Sequence, residues 1–154
     1  MKSVGRTTAV ALDIEAPPDR IWSVLADTRS YADWNDHLRP DRPTESTAGM
    51  LRAGAIVVLR LSASQRRFIA LRSTVTVAHP GYEARWVGRC MAPWLLSWEH
   101  SFDLTDGGDG TTRVLQTLTW RGLLAPVAGS SRWAAGFDHD MDALGEALRK
   151  RVGD

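Results

Sequence analysis

Cysteine is almost absent from this sequence of 154 residues. A single cysteine, Cys90, excludes an intramolecular disulfide, so the fold has to rest on the burial of apolar surface. A chain of this length buries roughly 68–70% of the surface of its unfolded state, which suits one core, and we expect a single domain over residues 1–154. An unpaired cysteine is typical of a reducing compartment and favours a cytoplasmic protein.

The sequence also lacks long apolar runs and a large excess of charge of either sign. No stretch approaches the ~18–20 apolar residues of a membrane span, so no span is expected. The first residues carry Lys2 and Arg6 without an apolar run, which predicts no signal peptide. The formal net charge is +1 and the sequence shows no basic face, so we do not expect nucleic acid as a partner.

Patterns that hold metals or phosphates are absent as well. The histidines lack the spacing of a metal site, and neither a metal nor a cofactor is predicted; they are His37, His79, His100 and His139. Residues 107–110 are rich in glycine, but they join two predicted strands and open no helix. They therefore do not predict an anion site.

The N-terminal part alternates apolar and polar residues and then changes to helical spacing. Residues 8–14 place Thr8, Val10, Leu12 and Ile14 on one face, as expected for a half-buried strand. Two prolines follow and favour a helix start, and a short second helix is predicted around residues 31–34.

The middle of the chain predicts five more strands. The segments are 56–61, 67–77, 82–89, 95–105 and 111–122, separated by turn residues. The second of these places one set of residues on the buried face, namely Ile69, Leu71, Ser73, Val75 and Val77. The polar, proline-containing residues 39–47 predict a loop or a ragged edge strand.

A long amphipathic helix is predicted at the C-terminus. Its apolar stripe recurs at steps of 4, 4, 3 and 4 through Trp133, Phe137, Met141, Leu144 and Leu148. A sheet with one apolar face needs a cover, and this helix can supply it. The predicted fold class is α+β: a curved antiparallel sheet of about six to seven strands wrapped around the C-terminal helix, with two short helices after the first strand.

Several motifs along the chain resemble one superfamily. They are residues 14–27 (IEAPPDRIWSVLAD) with Tyr31 and Trp34, then Trp86-Val87-Gly88, residues 98–102 (WEHSF), Gly110-Thr111-Thr112, and residues 120–124 (WRGLL). On these motifs the whole chain resembles the START/Bet v 1-like (SRPBCC) superfamily, in its bacterial polyketide cyclase/dehydrase-like branch. The resemblance implies a helix-grip fold, and its members include aromatase/cyclases, lipid carriers and Hsp90 co-chaperones.

Two residues are candidates for chemistry. His100 lies on the apolar face of its strand, where a neutral imidazole could act as a general base or donate a hydrogen bond to a ligand carbonyl. In the alternative interpretation His100 has only a structural role and forms a hydrogen bond with a buried backbone or side-chain group. Asp140 lies roughly 60° from the centre of the helical stripe and could reach His100 or an inward arginine. Its alternative is an edge position that reaches water.

The predicted function is the binding of a hydrophobic small molecule, polyketide-, polycyclic- or lipid-like, in a cavity between the sheet and the C-terminal helix. Such a carrier or sequestering protein of bacterial secondary metabolism would be a monomer or a weak homodimer. Loops 40–54 and 91–94 would gate the cavity. The predicted lining is Trp86, Trp98, His100, Phe102, Gln116, Leu118, Trp120, Trp133, Phe137 and Met141.

Two alternatives remain open. In a cyclase or aromatase, His100 with Asp140 or Gln116 would assist enolisation and dehydration of a polyketide held in the same cavity. A protein-interaction module similar to the co-chaperones would instead present an open apolar groove.

Overall fold

A computed structural model describes residues 5–40, 50–64, 67–128 and 131–154. Within these ranges, the side chains of residues 39, 40, 60–64, 67–69, 128, 131–138 and 140 lie outside the description.

Seven antiparallel strands form one sheet. The strands are β1 (Gly5–Ile14), β2 (Leu38–Pro40), β3 (Ile56–Ser64), β4 (Arg67–His79), β5 (Glu83–Cys90), β6 (Leu96–Asp106) and β7 (Thr112–Arg121). Their order across the sheet is β1-β7-β6-β5-β4-β3-β2. The helices are α1 (Pro18–Ala26), α2 (Tyr31–Trp34), α3 (Ala125–Ala128) and α4 (Ser131–Gly153), with a 3₁₀ turn at Thr28–Ser30. This confirms the predicted α+β helix-grip fold.

The start of α1 follows from its prolines. Pro17 has an extended backbone and Pro18 occupies the first helical position, where a missing N–H costs nothing. The helix then buries Ile21, Trp22 and Leu25. The hydroxyl of the buried Tyr31 donates a hydrogen bond to the carbonyl oxygen of Leu25, and this bond ties α2 to the end of α1.

The polar region after α2 begins with a short strand. β2 is a three-residue edge strand that pairs with β3, as the prediction of a ragged edge strand anticipated. Residues 41–49, which make up most of the first predicted gating loop, lie outside the described residues. The short helix α3 was not predicted, and within it Ala125 is fully buried.

One strand departs from the predicted alternation. A β-bulge lies between Val75 and Val77 where β4 pairs with β5. The extra residue reverses the alternation, so that Val77 pairs with the outward Arg85 and Ala78 pairs with the buried Ala84. The prediction that Val77 shares the buried face is therefore wrong, and Ala78 takes that place.

Helix α4 covers the inner face of the sheet, which is defined here as the face packed against this helix. It contacts β1 and β3 on opposite sides of the sheet. Its described buried side chains are Met141, Leu144, Leu148 and Val152, which repeat at helical spacing. Among the described residues, no helix is long and apolar enough to cross a membrane.

Candidate functional site

Strand register gathers those predicted lining residues that lie on strands into neighbouring rows on the inner face. Leu118, His100 and Trp86 stand side by side on β7, β6 and β5. The row on one side contains Trp120, Trp98 and Gly88, and the row on the other contains Gln116, Phe102 and Ala84. Residues far apart in sequence thus form one continuous buried surface, with His100 at its centre.

Aromatic rings surround His100. The Trp86 ring stands edge-on to the imidazole at a centroid distance of 5.0 Å, and the Phe102 ring lies at the same distance. Trp98 and Trp120 form a neighbouring pair at 5.9 Å. These rings supply a wall of large, weakly polar surface, which is typical of sites for apolar ligands.

Gly88 allows the Trp98 indole to cross the adjacent strand. A Cβ atom at this glycine would lie 2.5 Å from the ring carbons of Trp98 and 2.5 Å from the carbonyl oxygen of Arg72. Because no Cβ is there, the indole of β6 passes over β5. Its Nε1–H donates a 2.8 Å hydrogen bond to Oγ of the buried Ser73 on β4.

His100 and Gln116 form a polar pair inside this apolar wall. Nε2 of His100 lies 3.1 Å from Nε2 of Gln116, so the amide donates to an imidazole that carries its proton on Nδ1. The amide oxygen Oε1 of Gln116 is buried and has no hydrogen-bond partner among the described residues. Rotation of the amide by half a turn reverses the roles, and the pair can then present a donor instead of an acceptor.

Burial determines the charge state of His100. It lowers the pKa of the imidazole to about 3, because the low-dielectric interior disfavours the cation. At neutral pH the ring is therefore uncharged and a weak base. This favours a hydrogen-bonding role over the general-base role that was the other prediction for this residue.

The charged groups of these strands lie on the other face. Arg85 forms an ion pair with Glu83 at 2.6 Å and approaches Glu99 at 3.9 Å. The buried inner-face residues of β5, β6 and β7 are uncharged, while Asp106, which shares this face by its register with Thr112, is exposed at the end of β6. Among the described residues, no group of three metal-ligating side chains comes together.

A cleft opens beside the site where β1 meets α4. It has a volume of about 490 Å³, and its lining includes Thr8, Val10 and Asp142. Register places Thr8 next to Leu118 and Val10 next to Gln116. The cleft therefore lies one strand away from the polar pair.

The helix side of the site is described only in part. Met141 is fully buried, and its role as a lining residue stays a prediction. The side chains of Trp133, Phe137 and Asp140 lie outside the described residues, so the contact between Asp140 and His100 stays a prediction.

Sequence reasoning did not include Ser73 or Gly88 among the site residues. Ser73 gave a signal, because it is a polar residue in an otherwise apolar inward series on β4. Gly88 shares the face of Trp86, and a glycine inside a strand often marks a close approach by another group.

Comparison with solved structures supports the same fold. The Zhui aromatase/cyclase of Streptomyces sp. R1128 superposes with a TM-score of 0.72 at 16% identity, covering 97% of this chain and 94% of that one. A START superfamily protein of Mycobacterium smegmatis gives 0.67 at 15% identity, covering 96% and 97%. Norcoclaurine synthase of Thalictrum flavum, solved with dopamine and hydroxybenzaldehyde, gives 0.67 at 12%, covering 97% and 87%.

A search of curated proteins finds no match. The family model described as polyketide cyclase/dehydrase and lipid transport matches residues 6–153. Since this match spans nearly the whole chain and agrees with the fold, the protein belongs to the polyketide cyclase/dehydrase and lipid transport family.

Proposed function

We propose that this chain, acting as one domain, binds an uncharged hydrophobic small molecule between the inner face of the sheet and α4. The observation that carries the proposal is the buried amide oxygen of Gln116, which has no hydrogen-bond partner among the described residues although it is next to His100. A buried polar atom without a partner is costly, and a ligand hydroxyl would satisfy it.

The surroundings of the pair indicate the ligand class. The rings of Trp86, Trp98, Phe102 and Trp120 favour flat or polycyclic surface, and the Gln116–His100 pair favours a carbonyl or hydroxyl group on it. The buried residues on the inner faces of β5, β6 and β7 offer no charged partner, which disfavours a charged ligand on that side. A polyketide-derived ring system combines these properties, and a lipid-like ligand is the second possibility within the same class.

Apolar burial alone can hold such a ligand. About 300 Å² of apolar ligand surface removed from water contributes roughly 7 kcal/mol before the costs of association are subtracted. Binding therefore needs no catalytic residue. The cleft between β1 and α4 is a possible route to Gln116 from outside, because its walls include Val10, the cross-strand neighbour of Gln116.

A neutral probe tests this proposal. Nile red is an uncharged polycyclic dye with a ring carbonyl, and its fluorescence rises in apolar surroundings. We expect saturable uptake by the wild-type protein. Nile red carries no N–H or O–H group, so its ring carbonyl binds the pair when the Gln116 amide is rotated to donate to it. Gln116→Leu removes this donor and should weaken dye uptake about three- to tenfold, as expected for one neutral hydrogen bond. Thr117→Val is the matched control, since this neighbour on β7 faces outward and should leave the affinity unchanged.

Native mass spectrometry gives an independent readout. Protein purified gently from a bacterial host should carry an added mass that leaves on denaturation. If the wild-type protein neither carries such a mass nor takes up the dye, the binding proposal is wrong.

A cyclase activity is the second candidate function, because the family description includes cyclases and one structural neighbour is an aromatase/cyclase. His100 would then hold an enol by hydrogen bonding, and the cavity would fold the substrate. Turnover of an added poly-β-ketone by the wild type, lost in His100→Gln with dye affinity retained, would favour the enzyme. Binding without turnover in the wild type would favour the carrier.

A further inference from the structure

Five large apolar side chains project into solvent at one end of the sheet. Met91 is 88% exposed and Trp94 is 67% exposed, both in the loop between β5 and β6. Leu123, Leu124 and Val127 follow β7 and are 57%, 42% and 62% exposed. We call these five residues the apolar tip. They lie on two adjacent segments, so the exposure forms one patch rather than scattered single residues.

Hydrogen bonds lock the two segments of the apolar tip together. The backbone N–H of Leu123 donates to the carbonyl oxygen of Trp94 at 3.0 Å, and that of Leu124 donates to Leu95 at 2.9 Å. Gly122 makes the approach possible, because its φ is 111° and a Cβ atom there would lie 2.7 Å from the Leu95 oxygen. These backbone contacts therefore hold the two segments of the apolar tip in a fixed position relative to each other.

The backbone at Met91 is held in an unfavourable conformation. Its φ of 61° lies in the left-handed region, and it is the one described residue other than glycine with a positive φ. Such strain persists only where the surroundings impose it, and it often accompanies function. Here it accompanies a methionine side chain that is almost wholly exposed to water.

Arginines are the charged residues nearest to the apolar tip along these strands, and the first acidic residue beyond them, Glu99, pairs with Thr119 and approaches Arg85 at 3.9 Å. Residues 89–97 and 119–133 contain three arginines and neither aspartate nor glutamate. Arg89 and Arg121 are exposed and both pair with Ser97 across the outer face, so they flank the tip. The opposite end of the same strands carries Asp103, Asp106 and Asp109, together with Arg113, whose charge is paired with that of Asp13 at 2.8 Å.

We propose that the apolar tip docks the protein onto an anionic lipid bilayer. Exposed Trp, Met and Leu side chains enter the interface between headgroups and acyl chains, while Arg89 and Arg121 meet lipid phosphates. The acidic opposite end orients the molecule by repulsion from the same surface. The two segments of the tip carry arginines and no acidic residue between positions 89 and 97 or between 119 and 133, and such a rim fits a uniformly anionic surface better than a protein partner, which would present charges of both signs.

Vesicle co-sedimentation tests this proposal without any internal ligand. Wild-type protein should sediment with phosphatidylcholine vesicles that contain about one third phosphatidylglycerol, and much less with phosphatidylcholine alone. Met91→Ser/Trp94→Ser should lower the partition coefficient at least tenfold, since two apolar anchors are lost. Arg89→Ser and Arg121→Ser should each lower it about fivefold, and added salt should weaken the wild type further.

Tyr82→Ser is the matched control. Tyr82 is a large side chain that is 63% exposed, but it lies in the β4–β5 turn at the opposite end of the sheet, so its loss should leave sedimentation unchanged. Wild-type protein that stays in the supernatant with both vesicle types overturns the proposal. A solution dimer that Met91→Ser/Trp94→Ser converts to monomer also overturns it, because the tip would then cover a second copy.

Discussion

His100 shows how the position of a side chain determines its chemistry in this protein. An exposed histidine titrates near pH 6.5, whereas the buried ring of His100 has a pKa of about 3 and stays neutral. Its partner Gln116 is neutral at every pH, so the pair offers hydrogen bonds and no charge. These properties suit recognition of a carbonyl or hydroxyl group.

The lowered pKa of His100 predicts a pH-dependent stability. Below pH 6.5 the unfolded chain binds a proton at this residue while the folded chain does not, until the pH reaches about 3. As the pH falls through that window, the free energy of unfolding should therefore fall by about 1.4 kcal/mol for each pH unit, relative to a chain without this group. Above pH 6.5 this contribution is constant.

Urea unfolding of the wild type and of His100→Gln between pH 7 and 4 measures this effect. The difference in stability between the two proteins should shift steadily in favour of the variant as the pH falls. A difference that does not change with pH would show that His100 titrates normally in the folded protein.

At the scale of elements, a side-chain hydrogen bond links β6 to β4 across the strand between them, β5. The Trp98 indole extends from β6 over β5 to Ser73 on β4, and Gly88 provides the space. In this contact the Trp98 ring is buried and its indole N–H is hydrogen-bonded, so the contact stabilises the central strands β4, β5 and β6 next to the candidate site.

Gly88→Ala should therefore destabilise the protein by about 1–3 kcal/mol, as overpacking does in a close-packed interior. The new Cβ would meet the Arg72 carbonyl oxygen at 2.5 Å, and a backbone atom inside a sheet cannot move away cheaply. Urea unfolding measures the loss, and the indole N–H resonance of Trp98 should shift as its bond to Ser73 is disturbed.

Gly153→Ala is the control for that substitution. A Cβ at this glycine in the last turn of α4 meets nothing within 4 Å, so the Gly153→Ala variant should be as stable as the wild type or slightly more stable. Equal stability of Gly88→Ala and the wild type would contradict the close approach of Trp98.

At the scale of the whole molecule, α4 connects the two sides of the sheet. It packs on β1 and on β3, and its buried side chains join the core formed with α1 and the sheet. Any ligand between sheet and helix therefore lies against the same helix face that stabilises the fold. Binding and stability are then coupled, because a ligand that binds only the folded state raises its stability.

Leu144→Ala tests how much the packing of α4 contributes to the stability of the fold. Leu144 is 2% exposed, and its truncation should lower the free energy of unfolding by about 2–5 kcal/mol. Leu115→Ala on the outer face of β7 is the matched control, because Leu115 is 38% exposed and should change stability by about 0.5 kcal/mol or less. Similar losses for both would contradict the central place of α4.

Local patterns in the sequence were sufficient for the fold class and for most of the residues that face inward, Val77 being an exception. Alternation placed Trp98, His100 and Phe102 on the buried face of β6, and the helical stripe placed Met141 and Leu144 toward the sheet. Such periodicities follow from backbone geometry, which acts within a few residues of the chain.

Contacts between distant residues were decided only by the tertiary structure. The bulge that exchanges Val77 for Ala78 depends on how β4 pairs with β5, and the meeting of His100 with Gln116 depends on the register of β6 and β7. The lowered pKa of His100 depends on everything packed around it. Strand pairing and burial are properties of the assembled molecule, so no local pattern in the chain encodes them by itself.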